Sequence, residues 1–234
     1  MANYRCALCG GDKVDFYRES DKILQCRNCE VVFLSSKLIP VELDSYYQNN
    51  AFYAQNASNP ELVRLMDKTA HSYLKAIVRY IKNSTDKLLI DVGSNYGSLV
   101  EAAGKMGFRA LGLEKNFFLV EAGKTRGLNI LTDDLSNLVV PEPVDIITAM
   151  HVLEHLTDPR AFVGDVYKKL SPGGLFVVGV PNIESYLAKK DGLSWRYIAL
   201  EHLFYFSKKT LSKLLEQERF KIIKTRQDSS NLGG

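Results

Sequence analysis

Much is missing from this 234-residue chain, and each absence narrows its reading. No apolar run approaches the roughly 20 residues that a membrane-spanning helix requires. The N-terminus, Met1 to Arg5 and then Cys6, lacks the apolar segment of a secretory leader, so a cytoplasmic protein with reduced thiols is expected. A net charge of +3 is too mild to argue for a nucleic-acid or membrane partner. Internal repeats and low-complexity stretches are absent. What remains, 46% apolar and 24% charged residues, is the composition of an ordinary globular protein. The length allows one sizeable core and a small appendage.

Cysteine is missing from all but the first 29 residues, where it occurs four times. Cys6 and Cys9 form one C-x-x-C pair, and Cys26 and Cys29 form a second after a gap of sixteen residues. Two such knuckles close a tetrahedral zinc site, and Gly10 and Gly11 suit the tight turn after the first. Two disulfides or four buried thiols are the competing readings; a reducing compartment with no cysteine left over favours zinc. Four thiolates leave no open coordination position, so the metal is structural.

Three segments are expected. Residues 1–36 make a zinc-ribbon-like module with short β runs at Ile23–Gln25 and Val31–Leu34. Residues 37–85 hold a tyrosine-rich stretch (Tyr46, Tyr47, Tyr53) and a helix that covers the active site. That helix opens at Asn59-Pro60-Glu61, a capping residue followed by proline and an acid. Its apolar positions recur at three and four, as in Leu62, Leu65, Tyr73, Leu74, Ile77 and Ile81. Residues 86–234 alternate strands with helices, the pattern of a mainly parallel sheet with helices on both faces. Strands are predicted at 88–92, 110–113, 130–132, 144–149, 175–180 and 220–225, and helices at 97–106, 117–126, 159–170 and 208–218. Leu170–Gly174 reads as a stop and turn between helix and strand.

The chemistry concentrates at strand ends. Leu88 to Asp91, then Gly93, Asn95 and Gly97, is an apolar strand leading through a glycine-rich turn into a helix. Such a turn lets backbone approach a ligand closely, and the helix N-terminus offers free N–H groups. The next strand ends at Glu114, placed to accept hydrogen bonds from a ribose diol, whether of NAD or of S-adenosylmethionine (SAM). A G-x-G-x-x-G spacing is absent after Asp91, which disfavours a dinucleotide enzyme.

These motifs resemble the class I SAM-dependent methyltransferases, with D-x-G-x-G-x-G after the first strand and acids after the second and third. Asp91, Gly93, Gly97, Glu114 and Asp133-Asp134-Leu135 fill that pattern in order. Asn95 replaces the middle glycine, a departure its tolerance of positive φ permits. The resemblance implies that the Gly93–Gly97 loop lies along the amino-acid part of SAM and that Glu114 holds the ribose. Asp134 and the Leu135 amide would read the adenine edge, with Met150 in the same pocket. Asp145 to Pro159 is similar to the fourth-strand motif of the ubiquinone-biosynthesis-like group, some of whose members carry a metal-binding E-x-x-E-H. Here His151 takes its first position; a metal-ligand role for His151, Glu154 and His155 is the lesser reading, and a place lining the SAM pocket the preferred one.

Glu201-His202 follows the fifth strand in a loop rich in aromatics. Together with the zinc module, the pair resembles nucleotide-sugar C-methyltransferases, which implies His202 as general base with Glu201 supporting it. In that family a tyrosine stands two residues before the glutamate; Ala199 stands there in this chain, and O- or N-methylation of a sugar is a near alternative. A ribosomal-RNA methyltransferase is the rival reading, but five basic and five acidic side chains in residues 1–36 cancel, unlike an RNA-gripping module. A non-catalytic methyltransferase-like scaffold is the other. The seventh strand of the fold has no counterpart before Gly234, so a truncated parent is expected.

Overall fold

The computed structural model describes residues 4–18, 22–35, 59–140, 142–199 and 201–227. The tyrosine-rich stretch at Tyr46, Tyr47 and Tyr53 and the terminal Asn231–Gly234 lie outside them. The chain divides into two compact units: Met1–Val41 with His151–Tyr167 and Gly179–Gly234, and Glu42–Met150 with Lys168–Val178. No helix among the described residues is long and apolar enough to cross a membrane.

The first unit opens with β1 (Val14–Arg18), β2 (Ile23–Cys26) and β3 (Val32–Leu34), an antiparallel meander. The two apolar runs seen in the sequence are its inner strands, and Ile23, Leu24, Val32, Phe33 and Leu34 are buried. The edge strand β1 is not legible from the sequence, because Phe16 and Tyr17 stay half exposed and no apolar face marks it.

The second unit holds the parallel sheet. Helix α1 (Pro60–Ile77) begins where Asn59 Oδ1 accepts from the Glu61 and Leu62 amides at 3.0 and 3.3 Å. It buries Ala70, Leu74 and Ile77 against Leu89, Leu99, Ala103, Phe108 and Ile146. Then come β4 (Leu88–Val92), α2 (Ser98–Lys105), β5 (Arg109–Leu113), α3 (Phe117–Thr125), β6 (Ile130–Leu131) and β7 (Val144–Met150). Helix α4 (Pro159–Lys169) leads to β8 (Leu170–Gly179). The strand order is β6-β5-β4-β7-β8, and β4 pairs in parallel with both β5 and β7. Covered by a neighbour on each side, β4 reads as a continuous apolar run rather than an alternating one. The order reverses between β4 and β7, the place where open α/β sheets bind ligands at the C-terminal ends of their strands. This is the Rossmann-like α/β fold that the alternation of elements implied.

Two details correct the sequence reading. Leu170–Gly174 is not a turn before the strand but the start of β8 itself, tied by Ser171 Oγ to the Val144 carbonyl at 2.8 Å. The strand expected at Phe220–Thr225 does not form. A strand exists only as a ladder with a neighbour, and no described segment supplies one. Phe220 instead closes the preceding helix through its amide and packs edge-on against Tyr167 at 5.5 Å. The rest of the first unit comprises α4 up to Tyr167, α5 (Tyr186–Asp191), β9 (Phe204–Tyr205) and α6 (Lys208–Gln217). Strand β9 adds antiparallel to β3, with Val32 opposite Tyr205 and Phe33 opposite Phe204. Lys213 and Arg160 reach the Asn28 and Leu8 carbonyls, so later segments grip both cysteine turns.

The loop entering α2 depends on Gly97, whose φ is +87°. A Cβ there would lie 2.6 Å from Leu128 Cδ1 and 2.7 Å from Ile130 Cδ1. Gly97→Ala should therefore lower unfolding free energy by about 1–3 kcal/mol through strain and overpacking together. Urea denaturation checks this; a variant as stable as the wild type would contradict the loop geometry.

Candidate active site and metal centre

The four cysteines converge. Their Sγ atoms all lie within 4.8 Å of one another, with Cys6 to Cys29 at 3.5 Å and Cys9 to Cys26 at 3.6 Å. A disulfide needs about 2.05 Å, so all four are free. A tetrahedron with Zn–S bonds of about 2.3 Å has edges of roughly 3.75 Å. The cluster is consistent with a structural zinc. Both knuckles are built alike. In each, the first cysteine's carbonyl accepts from the residue four places on, Gly10 or Glu30, at 2.8 and 2.9 Å. Each of those residues sits at positive φ, +73° and +66°. The Asn28 amide also donates to Cys26 Sγ at 3.3 Å. In the metal-free protein the Cys29 thiol is pushed far above its ordinary pKa by its neighbour Cys6 and by burial; a cation would remove that obstacle.

In the second unit the sequence-picked acids stand at the C-terminal ends of β4, β5 and β6. Glu114 binds the glycine-rich loop: Oε2 accepts from the Asn95 amide and Oε1 from the Asn116 amide, both at 2.9 Å. Burial raises its pKa, and those backbone N–H groups oppose the rise. Asn95 takes φ +53° where the resembling family has glycine, and its Oδ1 accepts from the Tyr96 amide at 2.8 Å. Gly93 is exposed, leaving its backbone open to a ligand. Asp91 is 5% exposed. Burial lifts its pKa to about 7, the nearby Glu114 charge adds to the rise, and the 2.6 Å bond from Thr148 Oγ1 counters it. Thr148 escaped sequence reasoning because a hydroxyl inside an apolar strand gives no signal of its partner. Asp134 is exposed and pairs with Lys115 at 3.3 Å, while Leu135 is buried and Met150 half-buried.

In the first unit a short 3₁₀ turn, Leu153–His155, is held against the residue before β9 by the Leu203 amide, which donates to the Glu154 carbonyl at 2.7 Å. His202 is 7% exposed. Its Nδ1 lies 2.8 Å from the Tyr197 carbonyl, which only accepts, so Nδ1 carries the proton of the neutral ring. Burial lowers the His202 pKa and His155 lowers it further, while Glu154 and Glu201 pull the other way. The Glu201 carbonyl serves His155 Nδ1 at 3.0 Å. His151 stacks on Tyr197 and bonds Glu154 at 3.2 Å. Glu154, among the deepest-buried carboxylates, was marked in the sequence by the His151-x-x-Glu154-His155 motif, which carried no sign of its burial.

Residues 66–225 match the Methyltransf_23 family, described as a methyltransferase domain. A mitochondrial ubiquinone biosynthesis O-methyltransferase of Schizosaccharomyces pombe is 24% identical over 126 residues, 50% of this chain and 46% of that one. The ubiquinone biosynthesis O-methyltransferase of Idiomarina loihiensis is 28% identical over 55% of this chain and 60% of its own. The chain thus spans about half the length of the curated relatives it matches. Among solved structures, magnesium protoporphyrin IX methyltransferase from Synechocystis PCC 6803 with bound SAH superposes with a TM-score of 0.60 at 16% identity. It covers 74% of this chain and 82% of that one, a likeness of fold alone.

Two expectations follow. Elemental analysis should find one zinc per chain, and Cys26→Ala should lose it and loosen the β1–β3 sheet, since such a metal contributes on the order of 10 kcal/mol to its module. Zinc-free wild-type protein would refute the assignment. Glu114→Ala should weaken SAM binding by about 2 kcal/mol, roughly thirtyfold in Kd, as charge-assisted hydrogen bonds are lost. Titration calorimetry reads this directly, and unchanged affinity would remove Glu114 from the site.

Proposed function

The chain belongs to the Methyltransf_23 family of methyltransferase domains, and from that premise we propose that it transfers a methyl group from SAM to a small molecule, a nucleotide-linked sugar. The observation that carries the SAM reading is the Asn95–Gly97 loop bonded to Glu114 at the ends of parallel strands, inside the matched residues. The same arrangement fits the cofactor: an exposed glycine backbone and a helix start for its amino-acid end, Glu114 for the ribose, Asp134 and Leu135 for the adenine edge. Asp91 and Met150 complete this proposed pocket. When bound, SAM supplies an electrophilic methyl on a sulfonium.

The chain's own tasks are to orient the acceptor and remove one proton. His202 suits the second task. With Nδ1–H committed to Tyr197, its other nitrogen keeps a lone pair, and burial keeps the ring neutral near pH 7. Glu201 supports the positive charge that the ring gains. The sugar class rests on the pairing of a cysteine module with Glu201-His202; the balanced charge of residues 1–36 speaks against RNA.

A screen of nucleotide sugars with labelled SAM should find methyl incorporation into at least one, carbon or oxygen being identified by NMR of the product. With that acceptor, His202→Asn should slow turnover roughly 10²–10⁴-fold, with SAM affinity close to wild type. No transfer to any nucleotide sugar, alongside transfer to another acceptor class, would overturn the substrate. Wild-type turnover in His202→Asn would overturn the base.

A further inference from the structure

Three of the chain's four histidines gather around one carboxylate. Glu154 is 1% exposed. Its Oε1 lies 3.2 Å from His151 Nδ1, while Oε2 is fully enclosed and has no hydrogen-bond partner. A side-chain nitrogen of His155, one of His202 and a carboxylate oxygen of Glu154 all lie within 4.8 Å of one another. Both imidazoles are steered from behind, their Nδ1 atoms held by the Glu201 and Tyr197 carbonyls. Glu154 is fixed from two sides. Its carbonyl takes the Leu203 amide, and its side chain takes His151, a residue at φ +57° whose amide is anchored on the Gly179 carbonyl.

An enclosed carboxylate oxygen with nothing donating to it is unfavourable unless a positive charge arises beside it during function. We propose that Glu154 is a positioning residue for proton removal, stabilising the imidazolium that His202 becomes. The inference rests on the reading of His202 as base. In the step, the acceptor's bond to hydrogen breaks and its electron pair forms the new bond to methyl. The methyl–sulfur bond breaks with its pair staying on sulfur, giving SAH, and the proton moves to His202. The His151 contact keeps Glu154 Oε1 in place.

The other groups facing His202 are His155, edge-on with ring centres 4.7 Å apart, the rings of Tyr197 and Tyr205, and Glu201. His155 opposes a second positive charge. Of the two acids, Glu201 is half-buried and reached by water, whereas Glu154 is enclosed in protein interior, where its charge is screened less. That difference makes Glu154 the stronger counter-charge, with Glu201 adding to it.

Glu154→Gln keeps the shape and an acceptor for His151 while deleting the charge. We expect kcat to fall about tenfold or more, with KM for SAM and acceptor changed less than about threefold. The acid limb of the kcat/KM profile should move about one unit to lower pH, because an imidazolium without its counter-charge releases its proton more readily. Histidine NMR titration of the full chain should show the same downward move for His202. Glu154→Asp, which retains charge, should keep its acid limb near that of the wild type; this variant also carries the test if Gln prevents folding. An unmoved limb in Gln, or an equal move in Asp, overturns the inference. So does wild-type turnover that vanishes on chelation and returns with a divalent cation, which would make the cluster a metal site. Slow turnover in His202→Asn with normal turnover in Glu154→Gln sinks this inference alone. Normal turnover in His202→Asn sinks the base assignment and this inference with it.

Discussion

A loop that must present its backbone to a ligand cannot also bond that backbone fully to itself, and the turn between β4 and α2 meets this constraint through Glu114. Its carboxylate accepts N–H groups from both Asn95 and Asn116, so one side chain fixes the glycine-rich loop and the start of α3. The Gly93 and Ser94 amides bond the Leu113 carbonyl at 2.8 and 3.0 Å, which ties the loop a second time to the end of β5. Positive φ at Gly93, Asn95 and Gly97 follows from that path. Only residues that accept the left-handed region can occupy it, and a carboxylate has to terminate β5.

The first unit depends on a different coupling. Four cysteines with no apolar core of consequence would make a module dependent on metal alone. Here its inner strand continues into β9, and later helices grip both knuckles. His202 lies two residues before β9, so the sheet of the cysteine module and the loop that carries the imidazole share one hydrogen-bonded framework. The module is thereby part of the structure that positions His202 and not only an appendage.

Burial raises the pKa of two acids, Asp91 and Glu114, and the compensation differs between them. Asp91 is raised toward neutrality because a single hydroxyl is its compensation. Glu114 is also raised by burial, and there backbone N–H groups oppose the rise by favouring its charged form. Glu154 keeps one oxygen committed to His151 and one with no hydrogen-bond partner, close to His155 and His202.

Periodicity and punctuation in the sequence determined most of the architecture. Apolar runs too short for helices, glycine turns and capping residues are local, so β4, α1, the cysteine knuckles and the loop of Asp91, Gly93 and Gly97 could be read directly. The strand at Phe220–Thr225 could not, because a strand is a property of two segments and apolar composition specifies only one. The same holds for β9, whose partner lies about 170 residues earlier. Spacing also placed Glu114 and His202 at strand ends and in a loop. Only the tertiary structure decided that Tyr197 fixes the tautomer of His202, that Thr148 meets Asp91, and that three histidines share Glu154. Those contacts join residues whose separations along the chain follow no period, and their energies arise from burial that no local pattern records.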